Sequence, residues 1–306
     1  MTKILIGVDG SERSEDAIAF GRALALAAGA PVVLAMVHPE DPHPGRHDRH
    51  PYNTVLRDDA EDTLGRLAML LHGVREVELR PLADHSAAHA LQEAAEREGA
   101  GIVVVGSSHT GRLGRVLPGS TAERLLHGAP CPVAVVPNGY RAHAIGERPM
   151  IGCAYRPTED GAAALAAAEE LALALSATLR VMQTFEPLPH VYDTGELPLN
   201  LPEIDQSIRA DAERALRERV GGLSHRLDVE GTLHMGKPAD VLIPLSETVD
   251  ILVVGSRGYG PLKAVLLGGV SGRVIRSAAC PVVVVPRDAR STVGSVFAAA
   301  VTDARG

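Results

Sequence analysis

The sequence predicts an α/β protein of two tandem doubly wound domains, each a five-stranded parallel sheet with helices on both faces. Three observations lead there. Short apolar runs alternate with helical patterns along the chain, the order that builds a parallel sheet. The apolar runs lack polar alternation, as strands do when both faces lie under helices. The chain also repeats itself. Residues 106–137 and 255–286 each run strand, glycine-rich loop, helix and strand, and Gly106 and Gly255, Gly119 and Gly268, and Cys131 and Cys280 share one spacing of 149 (255 minus 106). A period near half the chain marks a duplicated domain rather than a solenoid.

Taken in order, residues 4–8 are a buried strand ending at the turn Asp9-Gly10-Ser11. Ser14, Glu15 and Asp16 suit a helix start, Ala17, Phe20, Leu24 and Ala28 form its apolar face, and Gly29 stops it. Residues 32–37 are the second strand, followed by a Pro- and His-rich polar stretch at 38–51. Then come a helix at 58–71, a strand at 77–82, a helix at 86–98 closed by Gly99, a strand at 102–105, a helix at 121–126 and a strand at 133–136. The second half repeats the order, with strands at 150–153, 179–184, 226–234, 251–254 and 282–285 and helices at 159–175, 203–222 and 238–246. This gives a first domain at 1–138, an unpatterned linker at 139–148, a second domain at 149–287 and a tail at 288–306 with a short helix near 293–301.

Composition narrows the function. With 3% aromatic residues and no Trp, the cores must be aliphatic. A net charge of −8 argues against nucleic acid as a partner, since such proteins carry a basic surplus or stripe. No apolar stretch reaches the length of a membrane span, and the N-terminus enters a strand at once, so a cytoplasmic location is expected. Cys131 and Cys280 precede Pro at the start of equivalent strands and read as small buried fillers, leaving no disulfide framework among the three cysteines.

Function should sit at the loop after the fourth strand. In open parallel sheets the ligand lies beyond the carboxyl ends of the strands, where strand order reverses. If strands one and four are neighbours there, Asp9 and Gly106 face one crevice. The carboxylate can bond ribose hydroxyls, while loop N–H groups and the helix start take phosphates. Neither the Walker sequence nor a GxGxxG after strand one is present.

Here both halves resemble the universal stress proteins in their tandem form. Members of that family that bind ATP carry Gly-x2-Gly-x9-Gly-Ser/Thr after strand four and an Asp after strand one. The first half has Gly106, His109 in place of the middle glycine, Gly119 and Ser120. The second has Gly255, Gly258 and Gly268, with Gly269 where Ser or Thr belongs. Asp9 meets the family's acid, whereas residues 151–156 of the second half hold none. The resemblance implies a Rossmann-like fold akin to the adenine-nucleotide alpha hydrolases. It also implies a cytoplasmic stress-response protein binding ATP (with Mg2+), or AMP or ADP, and a nucleotide site drawing on Val8, Val37 and Thr121 besides the motif residues. The two halves would pair as an intramolecular pseudo-dimer through their last strands, and a homodimer is a further form the resemblance allows. No positioned nucleophile or base is visible, so the protein is expected not to be an enzyme beyond slow incidental ATP hydrolysis. Two other readings stay open. One is a scaffold of the same fold that pairs with proteins and binds no nucleotide. The other is an adenylating enzyme, which would need a phosphate loop after strand one that Asp9-Gly10-Ser11-Glu12 does not supply.

Blander readings compete at several places. Ser120-Thr121-Ala122-Glu123 is a capping-box pattern, so the Ser120 hydroxyl can serve the helix alone. His38, Asp41, His43, His47, Asp48 and His50 fit no ordinary metal spacing and read as a solvated loop. Asp84 or Ser86 reads as an N-cap rather than a partner of His85 or His89 in catalysis. Arg112, Arg115, Arg257 and Lys263 lie beside the glycine loops, as phosphate partners or as solvated surface.

One prediction comes from the loop itself. His109→Gly restores the family pattern and removes a Cβ from a place where backbone must approach a ligand, so it is expected to tighten ATP binding. Calorimetry showing weaker binding instead would make the imidazole a ligand contact.

Overall fold

The computed structural model describes residues 2–40, 50–108, 114–142, 145–146, 148–187, 201–256, 269–286 and 296. The first half runs β1 (Lys3–Val8), α1 (Glu12–Ala28), β2 (Val32–His38), α2 (His50–Ala68), β3 (Val77–Ala83), α3 (Ala87–Glu98), β4 (Ala100–Gly106), α4 (Ser120–Gly128) and β5 (Val133–Val136). The second runs β6 (Met150–Tyr155), α5 (Glu159–Ala174), β7 (Thr178–Phe185), α6 (Leu201–Gly221), β8 (Val229–Met235), α7 (Pro238–Leu245), β9 (Ile251–Gly255), α8 (Gly269–Ile275) and β10 (Val282–Val285). Helices α2 and α6 begin earlier than the apolar pattern suggests. Pro51 and Pro202 fall in their first turns, where a missing N–H costs no hydrogen bond.

Within each half all strand pairs are parallel, and β1 lies between β2 and β4. The two five-stranded sheets join edge to edge, giving the order β3-β2-β1-β4-β5-β10-β9-β6-β7-β8. The joint is antiparallel, with Val282 opposite Val135, Val283 opposite Ala134 and Val284 opposite Val133. Alternate strand residues feed two aliphatic layers. One layer packs Ile4, Ile6 and Ile102 with Phe20 of α1, and Ile151 and Val253 with Leu165 and Leu171 of α5. The other packs Val103 and Val133 with Leu91 and Leu125, and Leu252 and Val282 with Leu242 and Val274. Each layer runs through both halves.

The segment after β5 differs from the unpatterned linker expected at 139–148. Residues Tyr140–Ala142 form a 3-10 turn seated on α1. Asp16, fully buried, accepts from the backbone N–H groups of Gly139 (2.8 Å, to Oδ2) and Arg141 (2.8 Å, to Oδ1). The Tyr140 ring meets Phe20 edge-on with centroids 5.6 Å apart. Nothing local in the linker signals this, because the acid that holds it lies near the start of α1. The tail helix expected near 293–301 lies outside the described residues except Val296, which is buried.

Asp16→Ala would leave two part-buried backbone donors without their acceptor. It is expected to lower stability by about 1–3 kcal/mol, the cost of losing hydrogen bonds to a charged acceptor. Urea unfolding that shows a loss under about 0.5 kcal/mol, the scale of an ordinary surface change, would remove Asp16 as the anchor.

Candidate functional site

Strand order reverses between β1 and β4, whose helices leave on opposite faces of the sheet, so the carboxyl ends of these strands part to form a crevice. A cavity of about 320 Å3 fills it, and its lining includes Val8, Asp9, Val37, Gly106, Gly119, Ser120 and Thr121. The seven described first-half residues expected at a nucleotide site thus meet in one place. His109 lies outside the described residues. The sequence reading missed Arg13, Ser14, Ser107, Ser108 and Leu91 of α3, which also line the cavity.

The polar groups are held in place before any ligand arrives. Asp9 Oδ1 accepts from the Ser11 N–H (3.0 Å), the Ser11 hydroxyl (2.6 Å) and the Ser14 hydroxyl (3.0 Å). Ser11 occupies the N-cap of α1 but makes no side-chain cap bond. Its hydroxyl serves the carboxylate instead. The spacing Asp9, Ser11, Ser14 was the available signal for this arrangement, since an Asp at a turn bonds the residue two positions on.

Two glycines have different reasons to be there. A Cβ on Gly106 would lie 2.9 Å from the Arg13 carbonyl oxygen, and one on Gly255 would lie 2.6 Å from that of Asp160. The first glycine of each loop is therefore demanded by the first turn of α1 or α5. Gly119 has an ordinary φ of −79°, and its nearest Cβ neighbour would be 3.8 Å away. Packing does not require a glycine at 119. What it leaves is open space beside the α4 N-terminus, where orphan N–H groups and the helix dipole suit an anion.

Gly119 also corrects the capping-box reading. It is the N-cap of α4, no side chain caps the helix, and Ser120 stands one residue inside. The exposed Ser120 side chain faces the cleft rather than capping the helix. Of the two readings of Arg115, phosphate partner or solvated surface, the second describes it: it forms an exposed ion pair with Glu247 of the second half. Arg112, Arg257 and Lys263 lie outside the described residues. His38 is buried at the end of β2, residues 41–49 lie outside the described residues, and no metal-holding group of side chains occurs among those described. Cys131 and Cys280 are buried as expected, and desolvation pushes each thiol up to about 12.

The second-half crevice is a different object. Register places Ala154 beside Met182 and Val254, as Gly7 lies beside Ala35 and Val105. Met182 therefore replaces Ala35, Tyr155 replaces Val8 and Arg156 replaces Asp9. The larger side chains leave about 80 Å3, lined by Tyr155, Arg156, Met182, Gly255 and Ser271 among others. Gly269 opens α8 at φ 68° and is not part of that lining. Gly258 and Gly268 lie outside the described residues.

A family model described as the universal stress protein family matches residues 1–137 and 150–286. A universal stress protein of Mycolicibacterium smegmatis is 32% identical over 300 residues, covering 92% of this chain and 96% of that protein. One of Mycobacterium tuberculosis is 31% identical over 256 residues, covering 78% and 87%. Among solved structures, a universal stress protein from Archaeoglobus fulgidus has a TM-score of 0.69 at 20% identity, covering 93% of this chain and 98% of that one.

Beside the cleft, the strand-to-helix turn before α3 carries a titrating pair. Ser86 caps α3 by accepting from the His89 N–H (3.4 Å), and Asp84 accepts from the Ser86 N–H (2.7 Å) and from His89 Nδ1 (2.8 Å). The bond to Asp84 raises the His89 pKa above 6.5, and the bond from His89, with that of Ser86, lowers Asp84 below 3.8. The pair therefore stabilises fully between about pH 3.8 and 6.5. Its His part is lost as pH rises through the raised His89 value, and its Asp part as pH falls through the lowered Asp84 value. An NMR titration should place the His89 midpoint above 6.5, and Asp84→Asn should bring it back down. A midpoint unmoved by Asp84→Asn would break the assignment.

Proposed function

The chain belongs to the universal stress protein family, and on that premise we propose that it is a cytoplasmic stress-response regulator whose first half binds an adenine nucleotide. ATP is the first choice, with Mg2+ accompanying its phosphates, and ADP or AMP would use the same contacts. The observation that carries this reading is the meeting of Asp9, Gly106, Gly119 and the α4 N-terminus around one cavity at the strand-order reversal. Asp9, held by Ser11 and Ser14, would take the ribose hydroxyls. The N–H groups at the start of α4, with the Ser120 and Thr121 hydroxyls, would take phosphates, and Arg13 would add positive charge. Val8, Val37 and Leu91 offer an apolar floor for the base.

The role is one of binding, with any turnover of ATP slow. A non-nucleotide scaffold is the second reading, and the second half favours it, since Arg156 and Met182 occupy the places of Asp9 and Ala35. The two readings divide the molecule: a ligand site in the first half, a packing partner in the second.

Calorimetry on the full chain tests this. One ATP per chain is expected, and Asp9→Ala should weaken it by about 1–3 kcal/mol, the range for losing a charged hydrogen-bond partner. Arg156→Ala should leave affinity unchanged. Two equal sites, or an Asp9→Ala protein that binds like the parent, would overturn the assignment to the first half.

A further inference from the structure

We propose that the second half is a working part of the first half's cleft: the turn between α8 and β10 holds residues 114–119 in place, and so couples cleft occupancy to the seam between the halves. The identity of the ligand rests on the nucleotide reading above; the coupling rests on the seam itself.

On the seam side, the Val116 N–H donates to the Ala278 carbonyl at 2.8 Å. The Val116 side chain is fully buried in the apolar layer that also contains Val274, Ile275 and Ala278. Arg115 pairs with Glu247 and donates to the Ser277 carbonyl at 3.4 Å. Arg276 reaches Glu123, in the first turn of α4, at 3.1 Å. On the cleft side, the next residue carries the load. The Leu117 N–H donates to the Ser107 hydroxyl at 3.2 Å, and the Leu117 carbonyl accepts from the Ser108 N–H at 2.6 Å. Ser107 in turn donates to the Val136 carbonyl at 2.8 Å.

Ser107, Ser108, Gly119 and Ser120 all line the cavity. One peptide link thus separates a bond to the second half from two bonds that set the cleft wall. Backbone of that length cannot absorb a shift at Val116 without moving Leu117. The ion pairs are exposed and individually weak, but they flank a buried backbone bond and act on the same short segment. Coupling between two sites is reciprocal, so a ligand in the cleft must tighten the seam to the degree that the seam tightens the ligand.

The test uses the full chain with Glu247→Ala and Arg276→Ala together. Both changes lie in the second half and neither residue lines the cleft. Together they leave net charge unaltered but release Arg115 and Glu123 from their partners, so Val116→Ala, which changes no charge, separates geometry from local field. ATP affinity is read by calorimetry and backbone order by hydrogen exchange. The proposal expects ATP affinity to fall about 3- to 10-fold, and faster exchange to spread from 115–116 into 107–108, 117, 119 and 120. It also expects ATP to slow exchange at Val116 and at 277–279 in the parent. Affinity within twofold of the parent, with faster exchange confined to 115–116, would overturn it. If the parent binds no ATP, the nucleotide reading alone falls. The spread of exchange in the double variant then decides the coupling by the same criterion. Val116→Ala, which trims packing at the seam while keeping its N–H, is a second variant with the same expected pattern.

Discussion

Two strands of four residues each, Val-Ala-Val-Val at 133–136 and Val-Val-Val-Val at 282–285, end the two halves, and the molecule depends on their meeting. Both are fully apolar and buried. Left at the edge of separate sheets, each would present unpaired N–H and C=O groups on a flat hydrophobic strand, which is a template for aggregation. Their antiparallel pairing removes both edges at once. It also fixes how the halves face each other, because register along β5 and β10 leaves no freedom to slide without exposing one strand end. The continuity of both aliphatic layers and the contact between residues 114–117 and the α8–β10 turn follow from that joint.

Duplication kept the frame and released the chemistry. Gly106 and Gly255 persist because a helix backbone passes within reach of any Cβ at either place. Nothing in the packing demanded an acid at the start of the crevice, so Asp9 in one half answers to Arg156 in the other. Nothing demanded an empty crevice either, and Met182 and Tyr155 fill in the second half what Ala35 and Val8 leave open in the first. The two crevices are topologically equivalent, and their volumes of about 320 and 80 Å3 show how far side chains alone can separate them.

Much of this was legible in the sequence. Short unbroken apolar runs rich in β-branched residues, such as Ile4-Leu5-Ile6 and Val103-Val104-Val105, read as strands covered on both faces, and alternation with helical patterns then leaves a parallel sheet as the solution. The constant spacing between the glycine loops marks the duplication, and Asp9, Gly106, Gly119 and Ser120 stand out by their place in the motifs. Helix starts were less legible. Local pattern put the cap of α4 on Ser120, whereas the extended backbone of Gly119 takes that position. Helices α2 and α6 begin before their apolar pattern does, with Pro51 and Pro202 in first turns that need no N–H.

By itself, then, the sequence determined the class of fold, the repeat and the motif residues of the crevice, because each is written in local periodicity or in short spacings that strand and helix geometry convert directly into position. Only the tertiary structure decided which groups met at long range. Asp16 with the N–H groups of Gly139 and Arg141, Arg115 with Glu247, Val116 with Ala278, and β5 with β10 are pairs whose members are more than a hundred residues apart. Their local surroundings carry no mark of the partner, since a buried acid, a surface arginine and a valine strand each satisfy the same local pattern whatever they finally touch. The partner is chosen by closure of the sheet and exclusion of water, which belong to the whole chain.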